Sequence, residues 1–275
     1  MADARRRYLE IQRELGGDEV ILSAPLQAGS WAGGRTGGPA DDPVEGLPTA
    51  QPPDRPTAPS RKDDWRKGAP PIPEGTGVTV LAPPRGLLDA TPEWETLDQV
   101  AKVIAGCREC FLCEGRTHTV PGEGDPRAGL MFVGEGPGQV EDETGRPFVG
   151  RAGELLTKMI EAIGLPREAV YIANAVKCRP PGNRKPLPDE LTACKKFLER
   201  QIELIRPRVL VALGATAAET LLDAKRSLAD LRGKVHSYRG IPLVVTYHPA
   251  ALLRNPNWKK PAWDDIRIAR QLLDR

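Results

Sequence analysis

No part of this 275-residue sequence approaches the roughly 18 consecutive apolar residues that a membrane-spanning helix needs, so we predict no membrane anchor. The formal charge is only +2, and any basic surface for nucleic acid therefore has to be local. Internal repeats are absent, which argues against a repeat array. The five cysteines are an odd number, and no secretion signal is recognisable at the amino terminus. These features predict a cytoplasmic protein in a reducing compartment, expected to be a monomer.

The composition changes near residue 88. Within residues 1–25 we predict a short amphipathic helix. In residues 26–87, 22 of the 62 residues are glycine or proline, without a period. This fraction exceeds the roughly 25–30% that marks low-complexity sequence, and we predict a disordered linker there, followed by a folded domain over residues 88–275. Trp31 and Trp65 are candidate contacts for an unidentified protein partner; the alternative is that both are incidental.

The folded domain is predicted to be α/β. Helical patterns over Glu154–Ile163 and Asp189–Ile205 alternate with short apolar segments, and another helix is expected to begin at Thr91 and Pro92. The predicted strands are Gly129–Val133, Val170–Val176, Arg208–Leu213 and Leu243–Tyr247. This alternation predicts a central parallel sheet of about four strands with helices on both faces. Ligands bind such sheets beyond the carboxyl ends of the strands.

Four cysteines form the most informative pattern. Cys107 and Cys110 are a close pair, and Cys178 and Cys194 follow up to about 85 residues downstream. Thiolates bind soft metals and iron–sulfur clusters, and ligands this far apart require a tertiary site. The spacing alone leaves tetrathiolate zinc and an iron–sulfur cluster both open.

A glycine-rich run, Gly134–Gly138, follows the first predicted strand. It lacks the lysine of a P-loop and the spacing of a dinucleotide fingerprint, which argues against a nucleotide cofactor; a plain tight turn is the alternative. Phe148 follows in a loop, and its ring is a candidate for stacking on a flat base, with burial in the core as the alternative. Between them, Glu141 and Asp142 are expected to be solvated turn residues.

Three longer runs make a family resemblance specific. They are Gly134–Gly153, Asn174–Arg184 and His248–Arg254. Together with the cysteines, they resemble the family 4 uracil-DNA glycosylases, the iron–sulfur members of the uracil-DNA glycosylase superfamily, over about residues 95–275. The resemblance implies an enzyme that hydrolyses uracil from uracil-containing DNA and leaves an abasic site.

The resemblance also implies a cofactor and its ligands. It implies that a 4Fe–4S cluster is bound by Cys107, Cys110, Cys178 and Cys194. Cys113 is then a spare thiol. Zinc held by the same four thiolates stays the alternative.

Further roles follow from the same resemblance. Asn174 reads the edge of the flipped uracil, Phe148 stacks on the base, and His248 donates to uracil O2 as negative charge develops there. Leu252, or its neighbour Leu253, is the apolar wedge that fills the gap in the duplex. A histidine that only packs the strand end, and leucines buried in the core, are the alternatives.

The water-activating group departs from the pattern of the best-known relatives, which carry an aspartate where Gly136 stands. Glu135 is the candidate for positioning the water, or for holding Asn183 by a hydrogen bond. Arg254 belongs to a set of basic residues expected to contact phosphates, some of which have solvated charges as the alternative. The other members are Arg146, Arg151, Lys177, Arg179, Arg184 and Lys185.

Two other functions remain open at this point. One is a protein of the same superfamily that traps uracil-DNA covalently through a histidine, although the stretch Pro180–Arg184 contains none. The other is a non-enzymatic iron–sulfur module for DNA binding or redox chemistry. Such a module needs the cysteines but not Phe148, Asn174 and His248 together.

Overall fold

A seven-stranded sheet organises residues 61–82 and 94–275, the parts of the chain that this computed structural model describes. The strands are β1 (Thr76–Val80), β2 (Glu123–Gly124), β3 (Leu130–Gly134), β4 (Tyr171–Asn174), β5 (Val209–Leu213), β6 (Val235–Tyr238) and β7 (Ile241–Thr246). Their order across the sheet is β1-β6-β7-β5-β3-β4-β2. The predicted helix within residues 1–25, the linker up to residue 60 and Trp31 lie outside the described residues.

The four predicted strands form the centre of this sheet. β4, β3, β5 and β7 are adjacent and parallel, which confirms the α/β prediction. The predicted number of strands is wrong, because three more strands extend the edges. β2 pairs antiparallel with β4, β6 pairs antiparallel with β7, and β1 pairs parallel with β6. None of these edge strands has the continuous apolar run that identifies a strand buried on both faces.

Helices cover both faces of the sheet. They are α1 (Leu97–Gly106), α2 (Leu112–Gly115), α3 (Gln139–Thr144), α4 (Arg151–Ala162), α5 (Pro188–Ile205), α6 (Ala215–Leu222), α7 (Leu228–Leu231), α8 (Pro249–Arg254) and α9 (Lys259–Asp274). On one face, Ile202 of α5 and Leu221 of α6 join Met131 in the core. On the other, Ile160 of α4 and Ile266 of α9 join a second core cluster. None of the described helices combines the length and apolar character of a membrane span.

Helix α1 begins at Leu97, whereas Thr91 and Pro92, where a helix start was predicted, lie outside the described residues. Thr96 is its N-cap: the Thr96 hydroxyl accepts from the backbone N–H of Gln99 at 3.2 Å, and the Gln99 side chain accepts from the Thr96 backbone. This reciprocal capping box satisfies two backbone donors that the first turn otherwise leaves unpaired.

Residues 61–82 differ from the predicted linker, because they pack on the domain. Trp65 is only 3% exposed, and the guanidinium of Arg270 on α9 lies 5.3 Å from its ring centroid. Further along, β1 joins the sheet, and His236 of β6 accepts a hydrogen bond from the Val78 N–H at 2.8 Å. Trp65 is therefore part of the folded domain and is not an exposed partner contact.

Replacing Trp65 with alanine is expected to destabilise the domain. Truncating a buried tryptophan typically costs about 3–5 kcal/mol of unfolding free energy, from lost burial and from the cavity left behind. Chemical denaturation of the full chain measures this loss. Leu81→Ala, at an exposed position of the same segment, is the control and should change stability little. Equal stabilities for both variants would show that residues 61–82 do not contribute to the core.

Candidate functional site

A cavity of about 560 Å³ opens at the carboxyl ends of the central strands. Loops after β3, β4, β5 and β7 line it, as expected for ligand sites of parallel sheets. Among its lining residues are seven of the predicted site residues: Glu135, Gly136, Phe148, Asn174, Asn183, His248 and Arg254. We call this space the carboxyl-edge pocket.

Asn174 ends β4 and presents an unsatisfied acceptor. The residue is 1% exposed, and its Oδ1 atom has no hydrogen-bond partner within the described residues. A buried acceptor without a partner is costly, and such groups mark places where a ligand supplies the missing donor. The close approach of Gly134 belongs to the same arrangement, since a Cβ there would lie 2.4 Å from Asn174 Oδ1 and 2.5 Å from Phe148 Cζ. Glycine at position 134 therefore allows Asn174 and Phe148 to lie close to the end of β3, at the wall of the pocket.

Phe148 is held in an unusual backbone conformation. Its φ of 52° lies in the left-handed region, which is uncommon for a side-chain-bearing residue. Glu141 holds the turn, because its Oε1 accepts from the backbone N–H groups of Val149 and Gly150, both at 3.0 Å. The Phe148 ring then lies 5.5 Å from the His248 ring, centroid to centroid.

The two acidic residues predicted to be solvated have structural contacts instead. Glu141 positions the loop that follows Phe148, and Asp142 is buried and accepts from the Thr117 N–H at 2.9 Å. The sequence offered no periodic signal for either contact, since both depend on where the chain returns in space.

His248 is the N-cap of α8. Its Nδ1 atom accepts from the backbone N–H of Ala250 at 3.2 Å, so the proton of the neutral ring lies on Nε2. The His248 ring lines the pocket and is partly exposed. Burial, which disfavours the charged imidazolium, and the positive charge of Arg254 lower the pKa of His248 from 6.5 to about 4. At neutral pH, His248 is thus an uncharged hydrogen-bond donor.

Glu135 has a partner that the sequence did not reveal. Thr216, in the first turn of α6, donates its hydroxyl proton to a Glu135 carboxylate oxygen. Asn183 was the alternative partner for Glu135, but its Oδ1 accepts from Arg179 Nε at 2.8 Å. Thr216 therefore orients the Glu135 carboxylate at the pocket wall, and Arg179 orients the Asn183 amide.

The two leucines of α8 have different environments. Leu252 is 1% exposed and packs in the core, whereas Leu253 is 40% exposed. Leu252 and Leu253 were both candidates for the wedge, and the side chain of Leu252 is enclosed by protein here, as in the alternative of burial in the core. Leu253 is the leucine that α8 presents at the surface.

The residues of the predicted basic surface have different environments. Lys177 is buried and cannot meet a phosphate. Arg146 pairs with Glu123, and Arg184 makes a bidentate pair with Glu190. Arg184, Lys185 and Arg254 line the pocket, and Lys185 pairs with Glu219.

A second, small cavity is lined by all five cysteines, and we call it the cysteine cavity. It brings together Cys107 at the end of α1, Cys110 before α2, Cys178 after β4 and Cys194 on α5. Cys178 and Cys194 are buried, and burial raises the pKa of the Cys194 thiol to about 12. The predicted ligand residues thus meet in space across the chain. Cys113 lies with them.

Two donors point at the sulfur atoms of this cavity. Arg116 Nη1 lies 3.1 Å from Cys178 Sγ, and the backbone N–H of Lys177 donates to Cys194 Sγ at 3.3 Å. Such contacts favour thiolates over thiols. In residues 61–82 and 94–275, no three His, Cys, Asp or Glu side chains are grouped tightly enough to hold a single metal ion. Five thiols around one cavity, with donors aimed at two of the sulfurs, are a donor set that fits a soft, thiolate-bound group.

Comparison with known proteins gives consistent similarities. Residues 121–267 match the family described as the Uracil DNA glycosylase superfamily. A type-4 uracil-DNA glycosylase from Sulfurisphaera tokodaii is 46% identical, over 65% of this chain and 85% of that protein. One from Thermotoga maritima is also 46% identical, over 66% of this chain and 96% of that protein. A type-5 uracil-DNA glycosylase from Thermus thermophilus is 37% identical, over 47% of this chain and 68% of that protein.

Proposed function

Because the chain belongs to the Uracil DNA glycosylase superfamily, we propose that it acts in base-excision repair by hydrolysing the N-glycosidic bond of uracil in DNA. The products are free uracil and an abasic site. One observation carries this proposal: Asn174, whose Oδ1 has no partner among the described residues, lines the same pocket as Phe148 and His248. An acceptor, an aromatic ring and a neutral donor are the groups that a flipped uracil requires.

Asn174 provides the discrimination between bases. Its Oδ1 accepts from uracil N3–H, and its amide N–H₂ donates to O4. Cytosine carries an acceptor at N3 and an amino group at C4, so both contacts are reversed. Since a buried acceptor left facing another acceptor is costly, the pocket rejects cytosine.

His248 stabilises the leaving base. When the glycosidic bond breaks, negative charge develops on uracil O2, and the His248 Nε2–H donates to it. The contact strengthens as the charge grows, so it lowers the barrier rather than merely improving binding. One such donor is typically worth about 3–4 kcal/mol.

Glu135 positions the attacking water, and Thr216 fixes the carboxylate that does so. The sugar resembles an oxocarbenium ion as the bond breaks, and the water therefore needs orientation more than a strong base. With glycine at position 136, Glu135 is the carboxylate at the end of β3 that lines the pocket.

The rate of uracil release is expected to show no titration near pH 6.5. The pKa of His248 is lowered to about 4, so the ring stays neutral from about pH 5 upward and keeps its Nε2 proton. Between pH 6.5 and 4 the unfolded chain gains a proton that the folded chain does not, so His248 makes stability fall as the pH falls through this window. Single-turnover rates of uracil release measured across pH test the expected absence of a titration near pH 6.5. An inflection near pH 6.5 that disappears in His248→Asn would contradict it.

Leu253 is the proposed wedge that fills the gap left by the extruded base. Leu253→Ala is expected to slow uracil release from duplex DNA by roughly tenfold or more, since losing the wedge forfeits a few kcal/mol of unstacking energy. Release from single strands, where no stack has to be opened, should change much less. A variant slowed equally on both substrates would remove Leu253 from this role, and Leu252→Ala is the control for damage to the core.

We further propose that Cys107, Cys110, Cys178 and Cys194 hold a 4Fe–4S cluster. A single zinc ion would gather four sulfurs at about 2.3 Å from one centre, whereas a cluster places each thiolate on a different iron. The proposal is supported by the cavity that these cysteines line together and by the similarity to type-4 uracil-DNA glycosylases. These cysteines connect α1 and the end of β4 with α5, so a cluster that they held would be a structural link, with a thiolate on every iron and no position open to substrate.

A labelled oligonucleotide containing one uracil tests the proposed reaction. Free uracil and an alkali-labile abasic site support it. A covalent protein–DNA adduct would instead indicate the trapping function, and retention of intact DNA without base release would indicate a binding module. Either of these two results, from iron-replete protein, overturns the proposed reaction.

A further inference from the structure

Lys177 is a buried cation between the two cavities. Its side chain is 1% exposed, and it lies three residues after Asn174 and one residue before Cys178. Lysine is almost never fully buried unless it is paired, so the surroundings of this ammonium group require an explanation.

The ammonium group binds two parts of the domain together. Lys177 Nζ donates to the main-chain oxygen of Asn174 at 2.8 Å and to Gln201 Oε1 at 2.7 Å. Gln201 lies on α5, the helix that carries Cys194, and its own amide donates to the Pro121 carbonyl at 2.7 Å. Lys177 therefore connects the end of β4 with the helix behind the cysteine cavity.

The backbone of Lys177 makes the same connection. Its N–H donates to Cys194 Sγ at 3.3 Å, and its carbonyl accepts from Val120 N at 2.8 Å. Beyond β4, the Ala175 N–H still pairs with the Gly134 carbonyl at 2.9 Å. The peptide of Asn174 is consequently held on both sides, which fixes the direction of its side chain into the pocket.

The charge of Lys177 is not balanced by a carboxylate of the residues that the structure describes. Both acceptors of its ammonium are neutral oxygens, and no carboxylate in the described ranges lies within ion-pair distance of Nζ. The anions that can balance it belong to the cysteine cavity, since a 4Fe–4S core bound by four thiolates carries net negative charge. Cys178 and Cys194 are two of those thiolates.

We propose that Lys177 is a positioning residue for uracil recognition, and that the negative charge of the thiolate-bound cluster keeps it in place. The cysteine cavity then does more than join helices: it supplies the counter-charge for the lysine that orients Asn174. This inference rests on the proposed function, because it assumes both a cluster and a uracil-reading Asn174. It assigns Lys177 no contact with the substrate.

Lys177→Met tests this inference in the iron-replete full chain. We expect single-turnover uracil release to fall about 10–100-fold, the range for residues that support a site through its ligands. We also expect the reduction potential of the cluster to become more negative, because a nearby cation that favours the reduced form is gone. Lys158→Met is the matched control: it removes an exposed cation from α4, a helix that carries no cysteine, and should leave both quantities at the parental values.

Gln201→Met keeps the inference testable if Lys177→Met loses its iron. This variant removes one acceptor of the ammonium but keeps the charge, so uracil release should fall while iron content and potential stay parental. Parental release in Gln201→Met, or parental rate and potential in an iron-replete Lys177→Met, overturns the inference. If the unsubstituted protein itself releases no uracil, the proposed function is refuted. Failure of the proposed function can therefore be distinguished from failure of the role assigned to Lys177.

Discussion

Replacing His248 with alanine is expected to slow uracil release by about 10²–10³-fold in single-turnover experiments, the usual effect of removing one donor to a developing oxyanion. Binding of uracil-DNA should change much less, because the donor acts mainly when charge appears on O2. The structure supplies the reason for a neutral donor: Nδ1 is occupied by the Ala250 N–H, and the pKa is lowered to about 4.

Two comparison variants make this expectation specific. His248→Asn keeps a side-chain acceptor for the start of α8, so it should be as slow as His248→Ala while restoring the helix cap. Asn174→Ala should impair both the rate and the discrimination against cytosine, since it removes the base-reading contact. If His248→Ala folds, keeps its iron and releases uracil at the parental rate, the donor has to be sought among the backbone N–H groups of Gly134–Gly138.

The second large effect concerns the cysteines. The purified protein is expected to contain about four iron and about four sulfide per chain, from the stoichiometry of the cluster. Cys178→Ser should lose most of this iron and much of its thermal stability, because binding free energy at a structural site is also folding free energy.

Cys113→Ser is the matched control within the same cavity and should keep the iron. Metal analysis finding one zinc and no iron would contradict the cluster. Equal iron loss from Cys113→Ser and Cys178→Ser would show that the ligand set is wrong.

The central fold was predictable because its signals are local. The parallel strands β3, β4, β5 and β7 are apolar runs buried on both faces, and runs of that kind are visible in sequence. The edge strands lack such runs. β2 has two residues, and β1 lies in a segment rich in glycine and proline whose order depends on pairing with β6 and on burial of Trp65.

Site residues that belong to a sequence motif could be predicted. Residues whose role depends on a contact with a distant part of the chain could not. Asn174, Phe148 and His248 follow strand ends and meet in one pocket. The contacts of Thr216 with Glu135 and of Lys177 with Gln201 join parts of the chain that no spacing rule connects. The choice between Leu252 and Leu253 depends on which face of α8 packs on the core, and a six-residue helix is too short for a periodic pattern to decide it.

The most direct test of the central claim is base release from otherwise identical duplexes that carry uracil, cytosine or thymine at one position. Single-turnover rates with iron-replete full-length protein are predicted to show free uracil, an abasic site and no measurable release of the other two bases. Intact uracil-DNA under these conditions, or release of cytosine as fast as uracil, would contradict the account.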